Sequence, residues 1–112
     1  MNWMESVYLF NKHVKSDKTY DDFKNKQINL LYDMIKYNED DKMILYDRIL
    51  KFIENNGYFR TYSQCCMRWC YSLDESVFNP IKEELFFEYM INLVKNLSYT
   101  KAQFNFKMTD IL

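Results

Sequence analysis

Few residues in this chain could carry out acid–base or nucleophilic chemistry. His13 is the only histidine, so a Ser-His-Asp or Cys-His arrangement would have to use it as the base. It lies among lysines at the end of a predicted helix, far in sequence from every cysteine, and no catalytic motif surrounds it. A solvent-exposed histidine at a helix end explains the same residues. We therefore predict no catalytic residue and no enzymatic activity, with a small enzyme that uses His13 or a cysteine as the alternative.

Three cysteines, Cys65, Cys66 and Cys70, occur within six residues. An odd number of closely spaced cysteines is not a disulfide framework. On a helix, Cys66 and Cys70 stand one turn apart and could supply two metal ligands, but zinc needs four and no second pair exists. We expect the cysteines to act as small apolar core residues, with Cys65 off the apolar face as an exposed thiol. The sequence predicts no metal site and no cofactor.

The remaining motifs with known chemistry are incomplete. Glu84 and Glu88 lie one helical turn apart, but the Glu-x-x-His motif of di-iron helical bundles is missing. Gly57 is the only glycine, which excludes a glycine-rich loop for binding phosphates. A P-loop or a dinucleotide-binding fold is therefore not expected.

The stretch from 55 to 73 is the most informative for binding. Its 19 residues contain no Asp or Glu, two of the three arginines and several aromatic side chains. Arg, Trp and Tyr dominate the energetics of protein interfaces, and Arg beside aromatic residues also binds single-stranded bases. The prediction is a partner-binding surface made of Arg60, Gln64, Met67, Arg68 and Tyr71.

Three interpretations of this stretch stay open. Of the two binding interpretations, a protein partner is favoured over single-stranded nucleic acid or RNA. In the third interpretation Tyr62 and Trp69 are simply core residues and the arginines are ordinary surface residues. Duplex DNA is not expected, because 15 basic and 16 acidic residues leave a net charge of −1 and no basic surplus.

Length and hydropathy place further limits on the chain. With 112 residues, of which 48% are hydrophobic, we expect one domain over 1–112 with a packed core. No run approaches the roughly 18 apolar residues that span a bilayer, and the first 30 residues lack a secretory signal. The expected protein is soluble and cytoplasmic, in a reducing compartment, with no membrane partner.

The composition also suggests an origin. Phe, Tyr, Met, Ile, Asn and Lys, which have A/T-rich codons, make up 57 of the 112 residues. Gly, Ala, Arg and Pro together contribute only six. This bias indicates an AT-rich genome, a group that includes many phages and other viruses, so the counts of Lys, Asn or Tyr carry no functional argument by themselves.

Helices are the elements predicted to position these residues. A single glycine and a single proline favour helices joined by short polar loops over an all-β fold. Apolar residues recur at helical spacing in five segments, and Asn56-Gly57 is expected to end the third, with Gly57 in the left-handed conformation. The segments run over about 2–14, 20–37, 42–55, 61–72 and 80–97. The predicted fold is an all-α compact bundle of about five or six short helices.

The fifth predicted helix, about 80–97, is apolar nearly all round, which is typical of a buried helix. We place it at the centre of the bundle. Its main apolar stripe comprises Ile81, Leu85, Tyr89, Leu93 and Leu97. A second stripe, on another side, comprises Phe87, Ile91 and Val94, and it is predicted as an interface if the protein forms a homo-oligomer.

The segment 98–112 is compatible with two structures. Thr100 and Gln103 fit a capping box followed by Phe104, Met108 and Ile111 at helical spacing, whereas Phe104, Phe106 and Met108 alternate as in a strand. We favour the short helix.

Together these features predict a small non-catalytic protein-interaction module. If the genome is that of a virus or phage, an inhibitor or adaptor that binds a larger host protein fits the size and composition. The alternative function is an accessory protein that binds single-stranded nucleic acid or RNA through Arg60, Arg68 and the nearby aromatic residues.

Overall fold

The computed structural model describes residues 18–73 and 80–112, and side chains over 20–73 and 83–112. This part of the chain is helical and contains no strand, which confirms the predicted all-α bundle. The predicted helix 2–14 and His13 lie outside the described residues. The helices are α1 (Lys18–Lys36), α2 (Lys42–Glu54), α3 (Tyr62–Ser72), α4 (Pro80–Ile91), which continues into a π-helical turn (Asn92–Asn96), and α5 (Lys101–Met108).

Side chains at the helix N-termini determine where several helices begin. The Asp41 carboxylate accepts a hydrogen bond from the Met43 backbone N–H at 2.7 Å and caps α2. Thr61 forms a capping box with Gln64 at the start of α3.

The segment 98–112 forms the predicted short helix. Thr100 and Gln103 make the expected capping box at the start of α5. Phe104, Met108 and Ile111 are buried, whereas Phe106 is 84% exposed, as helical rather than strand periodicity requires.

The core is formed by one face of each helix. On α1 and α2 the buried residues recur at helical spacing, and α5 packs mainly against α1. Aromatic rings fill the space between α3 and α4, where the Trp69 ring lies against those of Phe86 and Tyr89. The largest fully buried side chains are Phe86, Phe104, Ile28, Leu31, Ile35, Ile49, Ile53, Met90, Met108 and Leu112.

The buried face of α4 differs from the predicted main stripe. Leu85 and Leu97 are about half exposed, at 50% and 57%, whereas Phe86 and Met90 are fully buried. A helix with apolar residues on nearly every side gives no periodicity from which to choose its buried face. The π-helical turn then changes the register, since it holds more residues than an α-helical turn, so Leu97 leaves the stripe.

The predicted oligomer interface is also wrong. Phe87 and Val94 are buried within a single chain, and Ile91 is partly buried against the core. The Phe87 ring lies 5.3 Å from that of Tyr46 and 5.6 Å from that of Tyr62, centroid to centroid. The second stripe of the fifth predicted helix therefore contributes to the core and does not form an outer surface.

Helix α2 ends close to the predicted position, but the chain turns there in a different way from the one predicted. The helix ends at Glu54, yet Gly57 does not adopt a positive φ. The Asn56 side chain instead accepts a hydrogen bond from the Tyr58 backbone N–H at 2.9 Å, which turns the chain without a left-handed residue.

A left-handed residue occurs instead at the end of the π-helical turn. Ser98 has φ 53°, and the next backbone N–H, that of Tyr99, donates to the Leu93 carbonyl at 2.9 Å. This is the type of helix end that glycine usually occupies. No helix in the described part of the chain has both the length and the apolar character needed to cross a bilayer.

Replacement of Ser98 by glycine should stabilise the fold. Glycine adopts positive φ without the steric cost of a Cβ atom, so Ser98→Gly should raise the free energy of unfolding by about 0.5–1 kcal/mol. Urea denaturation measures the change. Ser98→Ala keeps the Cβ atom and is the matched control, with stability expected to stay near that of the wild type. If the glycine variant is less stable than the alanine variant, Ser98 does not have the left-handed conformation.

Candidate partner-binding groove on helix α3

The five residues predicted to bind a partner line one surface groove of about 360 Å³. Arg60 lies in the α2–α3 loop directly before the cap Thr61, and the other four lie on α3. Their spacing of three to four residues places them along one side of the helix. We call this feature the α3 groove, lined by Arg60, Gln64, Met67, Arg68 and Tyr71.

The groove lies on the outer side of α3 because other residues of the same helix enter the core. Cys65, Cys66, Trp69 and Cys70 are all buried. Of the predicted apolar face, Cys66 and Trp69 are confirmed as core residues, whereas Leu73 is exposed.

The expected exposed thiol at Cys65 is wrong. The side chain is fully buried, and the sulfur lies 3.5 Å from the Arg60 carbonyl oxygen. The loop before α3 and the residues after α5 cover this side of the helix, since the Arg60 backbone N–H donates to the Leu112 oxygen at 3.0 Å. A contact so distant in sequence cannot be inferred from helical spacing.

Both arginines of the groove are fixed by one carbonyl group. Arg60 Nη1 donates to the Asp110 carbonyl oxygen at 2.9 Å, and Arg68 Nε donates to the same oxygen at 3.4 Å. Arginine has five N–H donors, so each guanidinium group has further donors beyond this contact. The arrangement brings two positive charges together at one end of the groove.

Lys24 is a third cation in this region, and the sequence analysis missed it. Its side chain is only 8% exposed, and Nζ donates to the Thr109 carbonyl oxygen at 2.7 Å. Burial, followed by the positive charge of Arg60, lowers the pKa of Lys24. A signal was present, because Lys24 precedes the buried Ile28 by one turn on the same side of α1.

The groove combines positive charge with accessible apolar surface. Neither an acidic residue nor a lysine lines it, and within 20–73 and 83–112 neither arginine forms an ion pair. Met67 and Tyr71 are 39% and 54% exposed. Such a surface can bind an anionic group together with a neighbouring apolar group.

The thiols below the groove are protonated at neutral pH. Burial raises the pKa of Cys65 to about 11 and that of Cys66 to about 12. The Tyr62 hydroxyl donates to Glu83 Oε2 at 3.3 Å, and burial raises the pKa of Tyr62 as well. Over the described part of the chain, no three His, Cys, Asp or Glu side chains are grouped as metal ligands would be.

A second, larger groove lies next to the first. It occupies about 800 Å³ between α1 and α5, and its lining includes Asn25, Asn29, Asn105, Phe106 and Asp110. Asp110 joins the two grooves, because its carbonyl oxygen accepts from the arginines of the α3 groove. The sequence analysis considered Phe106 only as part of a strand and so missed its exposed position.

The chain has no match among protein-family models, curated proteins or solved structures.

The buried thiols should be unreactive in the native protein. Burial of all three thiols should make Cys65, Cys66 and Cys70 react with Ellman's reagent at pH 8 far more slowly than free cysteine. Because the thiolate is the reactive species, the raised pKa values of Cys65 and Cys66 should slow these two further. Absorbance at 412 nm measures the reaction, and unfolding in guanidinium chloride should release all three thiols as the control. Rapid reaction of even one native thiol would show that the side of α3 facing the core is open to solvent.

Proposed function

We propose that this chain is a non-catalytic protein-interaction module that binds a larger partner protein through the α3 groove. The observation that carries the proposal is the convergence of Arg60, Arg68, Met67 and Tyr71 in one groove that no acidic residue lines within the described part of the chain. Interfaces owe most of their binding energy to a few such residues at their centre. The groove can form this centre, with the neighbouring groove around Phe106 adding contact area.

The distribution of lysines favours a protein partner over nucleic acid. Binding to a phosphate backbone needs several cations along one surface, and no lysine lines the α3 groove. Several lysines instead pair with nearby carboxylates: Lys51 with Asp47 at 2.9 Å, Lys101 with Asp33 at 3.0 Å, and Lys42 with Glu88. Within the lining of the α3 groove, two arginines and one tyrosine could contact single-stranded nucleic acid.

The proposed biological role is that of an inhibitor or adaptor. The small size of the chain and its AT-rich codon bias support a viral or phage protein that acts on a host protein. Three free cysteines within six residues, with no disulfide between them, support a cytoplasmic, reducing compartment as the place of action.

Truncation of Arg68 or Tyr71 should weaken partner capture and leave the fold intact. Both side chains are exposed, so Arg68→Ala and Tyr71→Ala should each lower affinity by about ten-fold or more and change thermal stability little. The assay is a pull-down from lysate of the source cells, with and without nuclease, followed by titration of the captured protein.

Two variants away from the groove serve as matched controls. Lys51→Ala removes an exposed cation, and Tyr37→Ala removes an exposed tyrosine, and both should retain full binding. Equal binding by Arg68→Ala, Tyr71→Ala and the wild type would refute the groove as the interface. Recovery of nucleic acid, or loss of the captured protein after nuclease treatment, would support the nucleic-acid alternative.

A further inference from the structure

Building on the proposed function, we propose that the occupant of the α3 groove is an acidic segment of the partner protein. An Asp or Glu side chain of this segment binds Arg60 and Arg68, and an adjacent aromatic or aliphatic side chain packs against Met67 and Tyr71. The groove is thus a receptor for a carboxylate next to an apolar side chain.

The geometry of the two arginines suits a single carboxylate. Nη1 of Arg60 and Nε of Arg68 lie 2.9 Å and 3.4 Å from the same oxygen of Asp110. The separation of these two nitrogens cannot exceed the sum of those distances, so one carboxylate group can reach both guanidinium groups. Planar guanidinium groups match the two oxygens of a carboxylate, and such charge-assisted pairs are among the stronger hydrogen bonds in proteins.

The contact with Asp110 also lowers the cost of binding. A free arginine side chain loses much rotamer freedom when it binds a ligand, but both side chains here are already held by a protein carbonyl. Lys24 lies behind them and adds positive charge, although its own donor is directed to Thr109. The Asp110 carboxylate opposes this field, since it raises the pKa of Lys24, but its effect is smaller than that of Arg60.

The position of the apolar part of the groove determines how far apart the acidic and apolar side chains of the occupant can be. Met67 precedes Arg68 directly, and Tyr71 follows Arg68 by three residues on α3. The distance along the helix from Arg68 to Tyr71 is about 4.5 Å, so the carboxylate and the apolar side chain of the occupant must be close neighbours. An acidic residue adjacent to a Leu, Phe or Trp meets this requirement.

The groove favours an acidic peptide over a nucleic acid or a phosphorylated segment. Two arginines form a small positive site, not the extended track of cations that a polyanion needs. The adjoining groove contains Asp110, three asparagines and Lys101, whose charge is paired with Asp33 at 3.0 Å. It would therefore attract a run of phosphates only weakly. A single carboxylate beside an apolar group uses both the arginines and the apolar side chains of the α3 groove.

A phage-displayed library of random 12-residue peptides, selected on the full chain, tests this inference. We expect the selected peptides to place Asp or Glu beside an aromatic or aliphatic residue. In a synthetic fluorescent copy of one such peptide, replacement of the acidic residue by its amide should weaken binding by about ten-fold, measured by fluorescence anisotropy. This substitution is in the peptide and leaves the protein unchanged.

A charge exchange tests the arginine directly. Arg68→Glu should abolish binding of the acidic peptide, and a peptide with Lys at the acidic position should bind this variant better than it binds the wild type. Arg68→Lys should bind the acidic peptide more weakly than the wild type, because lysine lacks the planar fork. Thermal unfolding of each variant checks the fold, and Lys51→Glu is the control with a changed charge elsewhere.

Several outcomes would overturn the inference. The peptide selection would do so if it yields no binding peptide, or peptides without enrichment in Asp or Glu. The binding measurements would do so if the acidic and amide peptides bind equally. They would also do so if a single-stranded oligonucleotide or a phosphoserine peptide binds more tightly than the acidic peptide. In each of these cases the proposed function would still hold if the capture of a partner protein depends on Tyr71. Capture that is unaffected by both Arg68→Ala and Tyr71→Ala would refute the proposed function itself.

Discussion

The carbonyl groups that follow α5 impose the constraint on which the rest of the structure depends. The last carbonyls of a helix have no partner within that helix and accept hydrogen bonds from other parts of the chain or from solvent. Here the partners are Lys24 from α1, Arg60 from the α2–α3 loop and Arg68 from α3. Cations are favoured at a helix C-terminus, so one electrostatic arrangement joins three separate parts of the chain to the segment 109–112. The core continues directly beside it, because Ile111 and Leu112 are buried.

In this arrangement the two arginines of the α3 groove differ in how much they contribute to the packing of the fold. Arg60 is partly buried, its backbone N–H binds Leu112, and its carbonyl lies against the buried Cys65 thiol. Loss of Arg60 would therefore disturb packing as well as charge. Arg68 is exposed, and the longer hydrogen bond to Asp110 is the one side-chain hydrogen bond that it makes within the described residues. A change in binding caused by substitution of Arg68 thus reports on the groove with little contribution from stability.

The sequence was sufficient wherever a structural feature depends on nearby residues. The capping box of Thr100 and Gln103 and the cap at Asp41 form between residues a few positions apart, and both could be predicted. The buried face of α4 could not, because apolar residues surround that helix and the π-helical turn shifts its register. The burial of Lys24 was missed for another reason, since the Thr109 carbonyl that accepts its hydrogen bond is 85 residues away in sequence.

The same distinction applies within the candidate site. Helical spacing alone places Gln64, Met67, Arg68 and Tyr71 on one side of α3, so the membership of the groove could be predicted from a stretch of fewer than 20 residues. The orientation of the arginines depends on Asp110, which is 42 residues from Arg68 and 50 from Arg60. A pattern within one helix therefore identifies which side chains share the exposed side of α3. How rigidly they are held, and hence how much entropy binding costs, is determined by the tertiary contact at the end of α5.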